Sequence, residues 1–110
     1  MNKDYSIEVT PLAENQILQI AQYIIEEFQA LETALRVVDR IEQELSKLNE
    51  MPERIMLVSS EPWRSRGVHK YIMGSYIAYF IIDDENLIVR ITAVVLDRMN
   101  QKKQLAKMEL

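Results

Sequence analysis

The feature that most constrains this 110-residue chain is a change of apolar period near its middle. Leu12, Ala13, Ile17, Ile20, Ala21, Ile24 and Phe28 recur every three or four positions, and so do Ala34, Leu35, Val38, Ile41, Leu45 and Leu48. That spacing places one apolar stripe on each of two helices. Thr10 before Pro11 reads as an N-cap with proline at the first helical position, so the first helix is expected over 11–28. The short break at Gln29 and Ala30 folds the two helices into an antiparallel hairpin, which ends before Pro52.

Elsewhere the period is that of strands. Tyr5, Ile7 and Val9 alternate with polar residues. Further strands are expected over 54–58, 66–73, 76–82 and 87–96, the last central and well buried because it is rich in β-branched residues. Gly74 and Ser75 mark a turn, and residues 83–86 form a polar loop. The expected fold is α+β: a single domain over 1–110 of order β-α-α-β-β-β, an antiparallel sheet with the N-terminal helical hairpin on one face. The other face is then open to solvent or to a partner.

Composition excludes several chemistries. Without cysteine there are no disulfides and no thiol nucleophile, and with one histidine a structural zinc site is not expected. No Gly-rich phosphate loop or Ser-His-Asp order is present. No apolar run is long enough to span a bilayer and no secretory signal precedes the first strand, so a cytoplasmic location without membrane contact is expected. The net charge of −4 hides an asymmetry: residues 1–53 carry four bases against eleven acids, and residues 54–110 carry nine against six. A partner with negative charge on one side of the molecule gives such a pattern, and so does an acidic helix pair on a mildly basic sheet.

Strand parity suggests where the bases lie. If the chain is extended from residue 64 to 72, Arg64, Arg66 and Lys70 share one side. Val89, Ile91, Ala93 and Val95 would face the helices, leaving Arg90 and Thr92 outward with Arg98 at the strand end. Five cations gathered on an uncovered face would hold phosphate and stabilise charge developing in phosphoryl transfer. His69, of opposite parity to Lys70, reads either as a general base or as a half-buried, hydrogen-bonded residue. Trp63 reads as a base-stacking platform or as an edge plug. Tyr71, Tyr76 and Tyr79 read as packing residues, with Tyr76 beside the turn where its hydroxyl could be exposed.

These residues also carry a resemblance. The opening Val9-Thr10-Pro11-Leu12-Ala13, Ile20-Ala21-Gln22-Tyr23-Ile24 and Leu48-Asn49-Glu50-Met51-Pro52 resemble the helical half of RelE/ParE toxins. Residues 61–70, with Glu61-Pro62-Trp63-Arg64 and Gly67-Val68-His69-Lys70, resemble a subgroup with a Glu-Pro-Trp-Arg pattern. Residues 76–83 are similar to one of the family's strands, and 88–100 to its closing segment. The resemblance implies a type II toxin whose partner is a cognate antitoxin, assembled as a toxin–antitoxin hetero-oligomer, with no cofactor. RelE-like members are metal-independent nucleases that cut messenger RNA on the ribosome. ParE-like members share the fold, inhibit DNA gyrase and are not nucleases.

Carried over by position, Lys70 and Arg98 match the catalytic lysine and the phosphate-binding arginine of RelE-like enzymes. The expectation favoured here is an mRNA endonuclease. Arg64 and Arg98 hold the scissile phosphate, Lys70 or His69 accepts a proton, and Arg66, Arg90 and Tyr76 grip the RNA; gyrase inhibition and a non-catalytic antitoxin-binding relic are the alternatives. Three departures count against the nuclease: Ile77 stands where several active members have arginine, no tyrosine follows Arg98, and the chain is acidic overall.

Overall fold

The computed structural model describes residues 4–97 and 108. Strand β1 (Ser6–Val9) leads directly into helix α1 (Pro11–Phe28). The Thr10 side chain accepts the Ala13 N–H at 3.3 Å, and Pro11 starts the helix where no N–H is needed. Gln29, in the left-handed region at φ 48°, ends it, and helix α2 (Leu31–Ser46) runs back beside it. Both helices and the order of elements follow the sequence reading.

Strands β2 (His69–Met73), β3 (Tyr76–Asp83) and β4 (Ile88–Leu96) complete a four-stranded sheet of order β1-β4-β3-β2. Gly74, at φ 65°, makes the β2–β3 turn possible. The sheet is mixed rather than wholly antiparallel, because β1 pairs with β4 in parallel. The helical hairpin is the reason. It returns the chain to the end where β1 begins, with Asp4 bridged to Glu50 and the Tyr5 N–H donated to the Asn49 carbonyl at 2.8 Å. Three meandering strands then leave β4 running with β1.

The helices cover one face. Ala13, Ile17, Ile41, Leu45 and Leu48 pack against Ala78, Phe80, Val89, Ile91 and Val94. The second face is not open as expected. Val58, Val68 and Met108, with half-buried Trp63, lie over Ile77, Tyr79, Ala93 and Val95 in a second core.

Two strand expectations change. Residues 54–58 are not a strand: Pro52–Arg54 is a 3-10 turn entered through Met51 at φ 48°, and only Leu57 bridges to β2. Ile55 packs with the helix-side core and Val58 with the second, so this segment rounds the β2 edge instead of pairing along it. The strand expected over 66–73 begins only at His69. Residues 60–67 coil back on themselves, with Arg64 N–H to Ser60 O (2.9 Å), Arg66 N–H to Pro62 O (3.1 Å) and Gly67 N–H to Arg64 O (3.0 Å).

A β-bulge changes the parity of β4. Tyr79 faces Ala93 and Phe80 faces Ile91, so Thr92 is the extra residue. Val89 and Ile91 face the helices as expected, but Ala93 and Val95 are turned to the second face and Val94 takes their place. The Val94 N–H goes to Gln16 Oε1 of α1 at 2.8 Å.

Candidate functional site: the second face of the sheet

Register fixes which side chains share the second face. Lys70 lies opposite Tyr79 and Ile72 opposite Ile77; on the far side Arg90 lies between Ile81 and Glu8. Lys70 and Arg90 are thus on one face, as the sequence suggests, but two strands and two residues apart. Strand spacing puts their backbones roughly 12 Å from each other. Apolar Ile77, Tyr79, Ala93 and Val95, beneath their cover, occupy the middle of the sheet.

The other expected cations do not join them on a strand. Arg64 and Arg66 sit on the coiled segment 60–67, because the backbone there is not extended. Arg64 Nη1 donates to the Val58 carbonyl at 3.3 Å, bracing the loop. Arg66 lies over the Trp63 ring, 5.5 Å from its centroid, so Trp63 is both edge plug and platform for a cation. Arg90 Nε donates to Glu8 Oε1 at 3.0 Å, and both side chains stay partly exposed. Arg98 lies outside the described residues.

His69 and Tyr76 belong to the opposite face. His69 pairs with Phe80, a helix-side residue, and its ring stacks on Phe80 at 4.9 Å between centroids. Its Nδ1 is 2.7 Å from the Ile55 carbonyl, a contact that calls for a proton on that nitrogen. The hydrogen-bonded alternative for His69 therefore describes its geometry, and it does not converge with Lys70. Tyr76 packs against the helix-side core, again away from Lys70.

Two features escaped the sequence. Glu8 neutralises Arg90 across the parallel β1–β4 pair, which an all-antiparallel reading could not bring together. Tyr79 is wholly buried, as a packing residue should be, but among the described residues its hydroxyl has no hydrogen-bond partner, which the sequence did not signal. Burial pushes its pKa up to about 12, with the Asp97 charge adding to the shift. Beside it the Thr92 hydroxyl is 3.1 Å from the Tyr79 carbonyl and 2.9 Å from Met108 Sδ. The only sequence signal was a lone threonine inside an apolar strand.

Such a face lacks convergent acid and base groups among the described residues. It offers spaced cations around an apolar centre, which suits contact with a broad surface. A recess of about 490 Å³ runs between α1 and the ends of β3 and β4, lined by Ile20, Tyr23, Phe28, Tyr76, Val94 and Leu96 among others. Tyr23 and Phe28, edge to face at 6.2 Å, are 52% and 66% exposed beside it. Among the described residues no helix is long and apolar enough to cross a membrane.

Comparison with known proteins places this geometry. The family model for the ParE toxin of the type II toxin–antitoxin system parDE matches residues 7–101. The chromosomal ParDE toxin–antitoxin system from P. aeruginosa contains a chain 18% identical, with a TM-score of 0.70, over 86% of this chain and 97% of that one. The toxin–antitoxin complex RelBE2 from Mycobacterium tuberculosis contains one 22% identical, with a TM-score of 0.57, over 84% and 98%. No curated protein sequence matches the chain.

Proposed function

The chain belongs to the ParE toxin family of type II toxin–antitoxin systems, and we propose that it acts by binding a protein target, DNA gyrase, rather than by cutting RNA. The observation that carries this reading is the dispersal of the cations. Arg64 and Arg66 stand on a turn at the rim, Arg90 is ion-paired to Glu8, and His69 faces the helices. Metal-independent RNA cleavage requires a base, an acid and phosphate-binding groups within hydrogen-bond reach of one scissile bond. Spaced charges around an apolar centre instead match the rim and core of a protein interface. In this reading Lys70, Arg64, Arg66 and Arg90, with Arg98, contact the target.

A cognate antitoxin is the second partner, consistent with the toxin–antitoxin assemblies among the similar structures. Its apolar segment docks in the recess beside Tyr23 and Phe28, where exposed aromatic rings border a concave surface. The nuclease reading keeps one support: Lys70 is on the second face, at the position matching the catalytic lysine of RelE-like enzymes.

Expression of the chain alone, with message ends mapped in the same cells and supercoiling by purified gyrase assayed with the purified chain, separates the two. Growth arrest with inhibited supercoiling and no new message ends is the expected result. New in-frame cuts that vanish in Lys70→Ala with gyrase unaffected would replace it with the nuclease.

A further inference from the structure

The sheet does not use all of the apolar surface on the helical hairpin. On α1 the core takes Ala13, Ile17, Ile20 and Ile24. Leu18, Ala21, Ile25 and Phe28, spaced three and four apart, form a second stripe about a quarter-turn away. Leu18 and Phe28 are 61% and 66% exposed, and Ile25 is exposed between them. On α2, Leu31 and Leu35 are likewise exposed, while Ala34, Ile41 and Leu45 are buried. Single exposed apolar residues are ordinary, but five that share one surface are not.

The two stripes meet. Asn15, Gln19 and Tyr23 line the recess that flanks α1 on one side, so Leu18 and Ile25 lie on the other, towards α2. On α2, Val37, Arg40 and Glu44 line a smaller recess by the β2–β3 turn, which leaves Leu31 and Leu35 towards α1. With the break at Gln29 and Ala30, the antiparallel pair brings Ile25 level with Leu35, and Leu18 level with Glu42. An apolar seam therefore runs along the outside of the hairpin from its tip. It ends in acid: Glu14 stands one turn beyond Leu18, and Glu42 one turn beyond Val38. Exposed Glu32 and Asp39 flank it, and residues 11–46 as a whole hold seven acids against two bases.

We infer that this seam seats an amphipathic helix of the cognate antitoxin, apolar along the stripe that meets Leu18, Ile25, Leu31 and Leu35, and bearing lysine and arginine opposite Glu14 and Glu42. The inference rests on the antitoxin reading given above and extends it to a second surface. Phe28 belongs both to the seam and to the recess assigned to the antitoxin, so one segment can pass from the recess over the hairpin tip. From Leu18 to Phe28 the seam is roughly 15 Å long, room for about three helical turns. The acids select the occupant. A second copy of this chain would set Glu14 and Glu42 against acids of its own hairpin, whereas a basic helix meets them with opposite charge.

The test uses the full chain and its cognate antitoxin, with affinity read by calorimetry at low and high salt. The double variant Ile25→Ser with Leu35→Ser is expected to melt with the parent and to bind antitoxin at least tenfold more weakly. Glu14→Lys with Glu42→Lys leaves the apolar seam intact. It is expected to lose at least tenfold at low salt, with the gap closing as salt rises, and it decides the matter if the serine pair melts lower. A peptide of about five helical turns, with leucine at helical spacing and lysine elsewhere, should bind the parent chain, and its glutamate counterpart should not. Antitoxin affinity unchanged in both double variants, or equal binding of the two peptides, would overturn the inference. So would a parent chain that sediments as a dimer and becomes a monomer with the serine pair, which would give the seam to a second copy. Tyr23→Ala, at the recess, separates the two readings. If it alone weakens antitoxin, the recess stands and the seam fails; if only the seam variants do, the seam stands and the recess fails. A parent chain that binds no antitoxin ends both.

Discussion

Gln16→Ala removes the acceptor that α1 supplies to the bulged strand. The Val94 N–H lies 2.8 Å from Gln16 Oε1, and Val94 is 1% exposed, so truncation leaves this amide without its protein acceptor. A buried N–H left without an acceptor costs about 1–3 kcal/mol. Alanine returns a few tenths of a kcal/mol through better helix propensity. Unfolding entropy near 60 °C is about 2.1 cal/mol/K per residue, or roughly 0.23 kcal/mol/K for a chain of this length. A net loss of about 2 kcal/mol then lowers Tm by about 9 °C. Gln19→Ala, one turn on and exposed, should stay within about 0.5 kcal/mol of the parent. Gln16→Glu retains an oxygen acceptor and should recover most of the loss. Thermal melts followed by circular dichroism, with amide exchange at Val94, measure all three. If Gln16→Ala melts with Gln19→Ala and the Val94 amide stays protected, α1 does not secure the bulge and this account of the second face is wrong.

Three other outcomes follow from the same structure. His69→Phe should keep the stack on Phe80, lose about 1 kcal/mol with the bond to the Ile55 carbonyl, and leave toxicity unchanged; a stable but non-toxic variant would restore His69 as a functional group. Trp63→Ala, at a half-buried position of the second core, should cost about 2 kcal/mol in denaturant unfolding, whereas Arg66→Ala should cost under about 1 kcal/mol; equal effects would show that the cation, not the ring, holds the loop. The Tyr5 pKa is raised to about 12 by its hydrogen bond to Asp84, with burial adding, so its contribution is complete below the unfolded value of 10.0 and is lost as pH rises toward 12. Tyr5→Phe should flatten the fall in stability between pH 10 and 12, and an unchanged slope would contradict the assignment.

The helical half was legible in the sequence because its signals are local. Threonine-proline at one end, apolar residues every third or fourth position and a break at Gln29 fix α1 and α2 without reference to the rest of the chain. The strands β3 and β4 were legible from β-branched and aromatic runs. Which face each residue takes was not, because parity counts correctly only while pairing is regular. Thr92 reads like any other β-branched strand residue, and nothing near it in sequence signals that Tyr79 and Phe80 will meet Ala93 and Ile91. Glu8 and Arg90 are 82 residues apart and meet only because β1 runs parallel to β4.

The apolar centre of the second face accounts for the dispersal of the expected cation cluster. In an unbroken strand, Ala93 and Val95 would face the helices, and Thr92 and Val94 would take their places beside Ile77 and Tyr79. With Thr92 inserted, Ala93 and Val95 turn outward beside Ile77 and Tyr79, leaving an apolar strip that water disfavours. Covering it brings Val58, Trp63 and Val68 over the sheet, and the intervening residues must then turn back on themselves instead of extending into β2. Arg64 and Arg66 are carried on that turn, so they end at the rim, one bracing the Val58 carbonyl and the other lying on Trp63. The need to cover this apolar centre thus joins three observations: a second core, rim cations, and no convergent phosphate site among the described residues.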